Sequence, residues 1–314
     1  MAIPVVDLAD FTSNNPVLKQ NFVTGLGQAY EEVGFAAVKN HGISDALVAD
    51  MYQYTQQFFA LPIETKKKYE RPDLHGQRGY TTFGTEHAKG YESPDLKEFF
   101  QLGQENSTYS TVDAQYPDNV FVSEIPDFTP TLIKAYQAFE KSGQLLLSAI
   151  ALFLDLNEQF FDKHIEKGNS ILRTIYYPPI VNEPLSAIRA EQHEDINLIT
   201  LLVGSSADGL EILSKQGTWV PVTSLEDQIV VNVGDMLQRL TNNRLKSTTH
   251  RVINPPREKW NTPRFSIPFF LHPRRDMSLA CLENCIDDGH PKEYEEITAG
   301  EYLDERLQEI GLKK

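Results

Sequence analysis

The chain has 314 residues, 40% of them hydrophobic, and carries a formal charge of −15, so it can bury a large core, and its acidic balance argues against affinity for nucleic acid or an anionic membrane, which needs clustered Lys and Arg. Its two cysteines, Cys281 and Cys285, exclude a disulfide framework, and the opening MAIPVVDLAD has neither the basic nor the apolar region of a secretory signal, which together point to a reducing cytoplasm. The longest apolar run, LLLSAIALFLDL at 145–156, is too short to span a bilayer and reads as a buried helix segment.

In chain order, VLKQNFVTGLGQAYEEVG predicts a first helix ending at Gly34, and FAAVKNHGI a strand closing in a turn. SDALVADMYQYTQQFFAL predicts a second helix, capped by Ser44 and stopped before Pro62. Residues 70–127 are rich in Gly, Pro, Ser, Thr and Asp and read as long loops. Leu132, Tyr136, Phe139, Leu146 and Phe153 recur at helical spacing and predict a long helix from about Pro130 to Leu154. After residue 170 the runs ILRTIYY, NLITLLVG, GLEIL, TWVPV, QIVVNVG, STTHRVI and PRFSIPFFL read as strands, punctuated by SSADG, SKQG, TNN and NPPRE. Strands at this spacing with no helices between them exclude a doubly wound sheet and suggest a sandwich or barrel, with a jelly roll leading. The tail TAGEYLDERLQEIGLKK predicts a final helix opened by a Thr298–Glu301 capping box. The expected organisation is an N-terminal helical and loop region, 1–127, that does not fold alone, then 128–314 with the long helix, a jelly-roll core at about 170–282 and the C-terminal helix.

One segment, AEQHEDINLITLLVG, carries chemistry. His193 and Asp195 stand two apart at the entrance of an apolar strand, a period that places both on one face. Such a pair alone is weak, because His-x-Asp also caps turns. A third ligand must come from a neighbouring strand distant in sequence, and His250 in STTHRVI is the natural choice. Two histidines and one carboxylate form a facial triad with open coordination positions, suited to non-haem Fe(II). The remaining histidines, His41, His75, His87, His164, His272 and His290, have no such company and read as structural or solvent-exposed. Cys281 and Cys285 lack a second pair and read as small buried hydrophobes.

Fourteen residues after His250, Arg264 and Ser266 share a strand face in RFSIPFF. A guanidinium fork with a hydroxyl beside it suits a carboxylate, here the far end of a small dicarboxylate whose other end reaches the metal. These stretches resemble the isopenicillin N synthase-like iron(II)/2-oxoglutarate-dependent dioxygenase family nearly end to end. The likeness runs through IPVVDLADF, GFAAVKNHGI, FFALPIETKKKYE, RGYTTFGTEHAKGYESPDLKEFFQLG with its Asp-x-Lys-Glu, the His193-x-Asp195 pair, VNVGDMLQRLTNNRLKSTTHRV and Arg264-x-Ser266.

The resemblance implies a mainly β protein, a double-stranded β-helix (jelly roll) core flanked by N-terminal and C-terminal helices. It implies Fe(II) held by His193, Asp195 and His250, and 2-oxoglutarate held by Arg264 and Ser266 with help from Tyr177. Ile175 stands where plant members often have Asn, so the polar contact expected there is missing. The implied reaction couples decarboxylation of 2-oxoglutarate to succinate with hydroxylation, desaturation or cyclisation of a small molecule, with ascorbate as an auxiliary reductant. Such chemistry needs water excluded, and GQRGYTTFGTEHAKGYE at 76–92 is the expected lid, with Arg78, Tyr80 and Phe83 as substrate contacts. The expected partners are the small-molecule substrate and O2, in a monomer or weak homodimer, without nucleic acid or membrane. The rivals are an Fe(II) oxidase of the same fold that does not use 2-oxoglutarate, and a non-catalytic ligand-binding jelly roll.

Overall fold

The computed structural model describes residues 3–74, 76–86, 95–105, 116–184, 187–223 and 227–309. The expected helices form for the expected reasons. Pro16–Glu32 opens on Asn15, whose side chain accepts the N–H groups of Val17 and Leu18, with Pro16 in the first turn where its missing N–H costs nothing. Asp45–Ala60 opens on Ser44, which accepts from Leu47 N–H at 3.3 Å. The long helix Phe128–Phe153 buries Leu132, Tyr136, Phe139 and Leu146 along one stripe. Ala299–Glu309 is capped reciprocally, Glu301 N–H donating to Thr298 Oγ1 and Thr298 N–H to Glu301 Oε2.

The strands are β1 Val5–Asp7, β2 Phe35–Lys39, β3 Gly79–Thr81, β4 Glu98–Gly103, β5 Ile171–Tyr177, β6 Ala190–His193, β7 Ile199–Val203, β8 Leu210–Leu213, β9 Trp219–Pro221, β10 Gln228–Val233, β11 His250–Val252, β12 Arg264–Ser266 and β13 Pro268–Leu271. Among the described residues they form two sheets. The major sheet runs β1-β2-β10-β7-β13-β5-β4-β3, with β12 also beside β5, and the minor sheet runs β6-β11-β8-β9. Apolar clusters join the sheets face to face: Phe35, Ala37 and Val230 with Ile212 at one place, Phe99, Ile175 and Tyr177 with Ala190 and Val252 at another. This is the jelly roll.

Two features depart from the sequence reading. Residues 70–127 read as loops, yet β3 and β4 lie there, β4 paired with both β3 and β5. The six residues of β4 are buried on both faces, so no polar–apolar alternation marks it. A short helix, Asp235–Leu240, also interrupts the β half, and β1 to β4 extend the major sheet from the N-terminal side.

The two-residue period of the major sheet decides what faces inward. On β5, Leu172 joins the core that includes the long helix, while Ile171, Arg173, Ile175 and Tyr177 line the space between the sheets. From β12 to just past β13, Phe265, Ile267, Phe269 and Leu271 pack on the core, whereas Arg264, Ser266, Pro268, Phe270 and His272 face inward. The helices thus take one face of the sheet and leave the other to the site.

Candidate metal centre and active site

β11 runs antiparallel to β6 with His250 opposite His193, which brings the two rings to 4.4 Å between centroids. Asp195 lies past the end of β6 rather than on it. Its approach is fixed from elsewhere: Thr200 Oγ1 and Asn232 Nδ2 both donate to its Oδ2, at 2.6 and 2.8 Å. The other oxygen, Oδ1, faces His193 Nε2 at 3.9 Å and His250 Nε2 at 3.7 Å. Glu194 between them turns outward to accept from Thr249.

Both histidines are oriented by a carbonyl two residues earlier, His193 Nδ1 by Glu191 O at 2.6 Å and His250 Nδ1 by Thr248 O at 3.1 Å. A carbonyl only accepts, so each Nδ1 carries the proton and each Nε2 presents a lone pair. Burial, then the neighbouring His250, pushes His193 down to about 4, keeping it a neutral imidazole near pH 7. Burial alone would raise Asp195, but the imidazoles and the hydrogen bonds from Asn232 and Thr200 outweigh it and lower its pKa. Ligand atoms of His193, Asp195 and His250 all lie within 4.8 Å of one another, and among the described residues no other such cluster occurs. Two imidazole nitrogens and one carboxylate oxygen on one side of an open space fit a divalent, borderline-hard cation such as Fe(II).

A cavity of about 810 Å³ touches His193, Asp195, His250, Tyr177, Arg264 and Ser266. Arg264 is paired in register with Tyr177, its guanidinium 5.0 Å above that ring. It is 1% exposed, Nε donates to Ala207 O, and Nη1 is buried without a hydrogen-bond partner among the described residues. A buried guanidinium in that state calls for a guest anion.

Two family models match the chain: "2OG-Fe(II) oxygenase superfamily" over residues 168–273, which span the triad and Arg264, and "non-haem dioxygenase in morphine synthesis N-terminal" over 3–124. The chain is 34% identical to proline hydroxylase buaE of Petromyces alliaceus, covering 98% of this chain and 99% of that one. The chain belongs to the 2OG-Fe(II) oxygenase superfamily. A solved 2OG-Fe(II) oxygenase family protein from Caulobacter crescentus matches this oxygenase with a TM-score of 0.88 at 40% identity, over 98% of this chain and 99% of that one. A Neurospora crassa protein, solved at full length in complex with alpha-KG and thymine, matches with a TM-score of 0.85 at 27% identity over 98% of this chain and 96% of that one. The protein is an Fe(II)/2-oxoglutarate-dependent dioxygenase.

The three expected substrate contacts do not line this cavity. Arg78 is fully buried, its guanidinium against Gly103 and its Nη1 donating to Gln77 O. Tyr80 is buried beside Phe58 and donates to Glu98. Phe83 is 47% exposed. Residues 87–92 of the expected lid lie outside the described residues, as do His75 and His87. His272, read as structural, faces the cavity, and burial pushes it down to about 4. Sequence reasoning also missed Thr200 and Asn232, although both stand at inward positions of β7 and β10, and Arg189. The Arg189 guanidinium lies 6.0 Å from the Tyr177 ring, and its Nη2 donates to Thr262 O at 2.9 Å, two residues before Arg264.

Proposed function

We propose that His193, Asp195 and His250 hold Fe(II) and that Arg264, with Ser266 and Tyr177, grips the distal carboxylate of 2-oxoglutarate. The oxygenase then oxidises an unactivated C–H bond of a small, polar, uncharged molecule, with hydroxylation as the outcome. One O2 oxidises the keto acid to succinate and CO2, one of its oxygen atoms entering succinate and the other the substrate, whose C–H bond becomes C–OH. The iron, when bound, supplies the centre at which O2 and the keto acid react. The protein's own groups do the rest. Asp195, its pKa lowered, stands beside the two imidazoles, and Thr200 and Asn232 hold its outer oxygen so that Oδ1 points inward. Arg264 fixes the co-substrate's end and hence the direction of its keto group. The observation that carries the reading is the buried Arg264, without a carboxylate partner among the described residues, in the same cavity as the triad.

The substrate class rests on another part of the cavity wall, where Asn169, Arg173, Phe270 and His272 stand. Arg173 is stacked over Phe99 at 4.1 Å and Phe270 at 5.4 Å, and donates to Gln101 and Glu86. Its charge and that of Lys97 are balanced by Glu86 and Asp95, so this wall offers hydrogen bonds without net charge. One relative, solved with thymine bound, points the same way. The free, buried thiols of Cys281 and Cys285 support a reducing cytoplasmic setting.

The test is CO2 release from 2-oxoglutarate labelled at C1, with Fe(II) and O2, followed by a screen of uncharged metabolites for stimulated succinate formation. Fe(II)-dependent CO2 release that a neutral polar metabolite accelerates is expected. Absence of CO2 release, with O2 consumed in the presence of ascorbate alone, would make the protein an oxidase of the same fold.

A further inference from the structure

The Asp-x-Lys-Glu segment entering β4 is two-faced. Glu98 points away from the cavity, pairing with Lys66 at 2.7 Å and accepting from Tyr80. Asp95 and Lys97 point into the cavity wall and are nearly buried, at 4% and 8% exposure. Lys97 Nζ lies 2.7 Å from both Asp95 and Glu86, and Arg173 closes a four-charge network through Glu86 at 3.2 Å.

This network reaches the metal centre through one residue of β6. Asp95 Oδ1 accepts the backbone N–H of Glu191 at 3.0 Å, and the carbonyl of the same Glu191 accepts from His193 Nδ1 at 2.6 Å. Next to it, Leu96 N–H donates to Ile188 O at 3.1 Å, so the segment grips the chain at 188 and 191. The grip matters because among the described residues β6 is an edge strand paired with β11 alone, and a strand held on one side needs a second anchor to keep its position.

We propose that Asp95, held in place by Lys97, is a positioning residue for the metal: it pins Glu191 so that His193 presents Nε2 toward Asp195 and His250. Asp95 is not among the metal-ligand candidates and acts on the metal through Glu191. The inference rests on the reading of His193, Asp195 and His250 as ligands. Partners that orient a metal-bound histidine typically contribute about 10–100-fold to metal affinity.

The experiment titrates Co(II) into the full chain under anaerobic, 2-oxoglutarate-free conditions, following visible absorption, with thermal unfolding measured in parallel. Asp95→Ala should weaken Co(II) binding on the order of 10–100-fold and alter the absorption envelope. Asp95→Asn keeps an acceptor for Glu191 N–H and should recover part of the affinity. Glu98→Gln, on the opposite face of the same motif, should lose thermal stability yet bind Co(II) within about twofold of the parent, since the Glu98 side chain is tied to Lys66 and Tyr80 and, among the described residues, not to β6. Parental affinity in Asp95→Ala, or an equal affinity loss in Glu98→Gln, would overturn the proposal. Asp195→Ala, run alongside, separates the two readings. Retained binding there sinks the triad itself, whereas lost binding there with full binding in Asp95→Ala sinks only the positioning role.

Discussion

The Glu86 carboxyl lies between Lys97 Nζ at 2.7 Å and Arg173 Nη1 at 3.2 Å. Burial alone would raise its pKa, but those two cations outweigh burial and hold it at about 2, against 4.5 for a free glutamate. A group whose folded pKa is depressed stabilises the protein above its unfolded value and loses that contribution as the pH falls. The stabilisation from Glu86 is therefore full above about pH 4.5 and fades toward about pH 2. Thermal melts of the wild type and Glu86→Gln should differ most near neutrality and converge on acidification; a gap that widens toward low pH would contradict this balance of forces. At this scale the sequence exposed what has a short-range pattern. That His193 and Asp195, and Arg264 and Ser266, share a cavity with His250 was legible from two-residue spacing and the strand runs around them. Thr200 and Asn232 were not, because a Thr and an Asn inside apolar strands carry no signal until Asp195 is seen to need two donors. Arg78 was misplaced because a fully buried arginine looks, in sequence, like any loop arginine.

Packing between the helix Pro16–Glu32 and the long helix depends on a glycine. A Cβ built on Gly27 would stand 2.1 Å from the Phe153 ring, a close approach that only a missing side chain permits. Gly25, two residues earlier, would meet only Val6 at 3.5 Å. Gly27→Ala should therefore destabilise by about 1–3 kcal/mol through overpacking. Gly25→Ala should be neutral or stabilise by up to about 1 kcal/mol, since alanine is the better helix former. Denaturant midpoints for the pair decide the matter, and equal behaviour of the two variants would refute the close helix contact. Helices were readable because their apolar positions recur at 3.6 residues and their caps are chemical, as at Ser44 and Thr298. β4 was not, because a strand buried on both faces loses its alternation, and GDMLQRL was hidden by the strand-like runs on either side.

For the whole molecule, the helices cover one face of the major sheet, the minor sheet faces the other, and the inward positions of both sheets converge on one cavity. The strand runs and the absence of interleaved helices made the jelly roll legible. The joining of β1 to β4 onto it was not, since pairing partners far apart in sequence leave no periodic trace. The central claim is that one cavity holds a metal at His193, Asp195 and His250 and the far carboxylate of 2-oxoglutarate at Arg264. Removing that arginine strands a desolvated carboxylate, a loss of about 2–5 kcal/mol. This corresponds to roughly a thirty- to several-thousandfold fall in affinity. The measurement is an anaerobic titration of 2-oxoglutarate into the Fe(II) protein, followed by visible charge-transfer absorption, in the wild type, Arg264→Ala and Arg264→Lys. The account predicts tight binding in the wild type, a loss of that size in Arg264→Ala with Fe(II) still bound, and partial recovery in Arg264→Lys, whose ammonium cannot form the fork. No 2-oxoglutarate binding by the wild type, or wild-type affinity in Arg264→Ala, would contradict it.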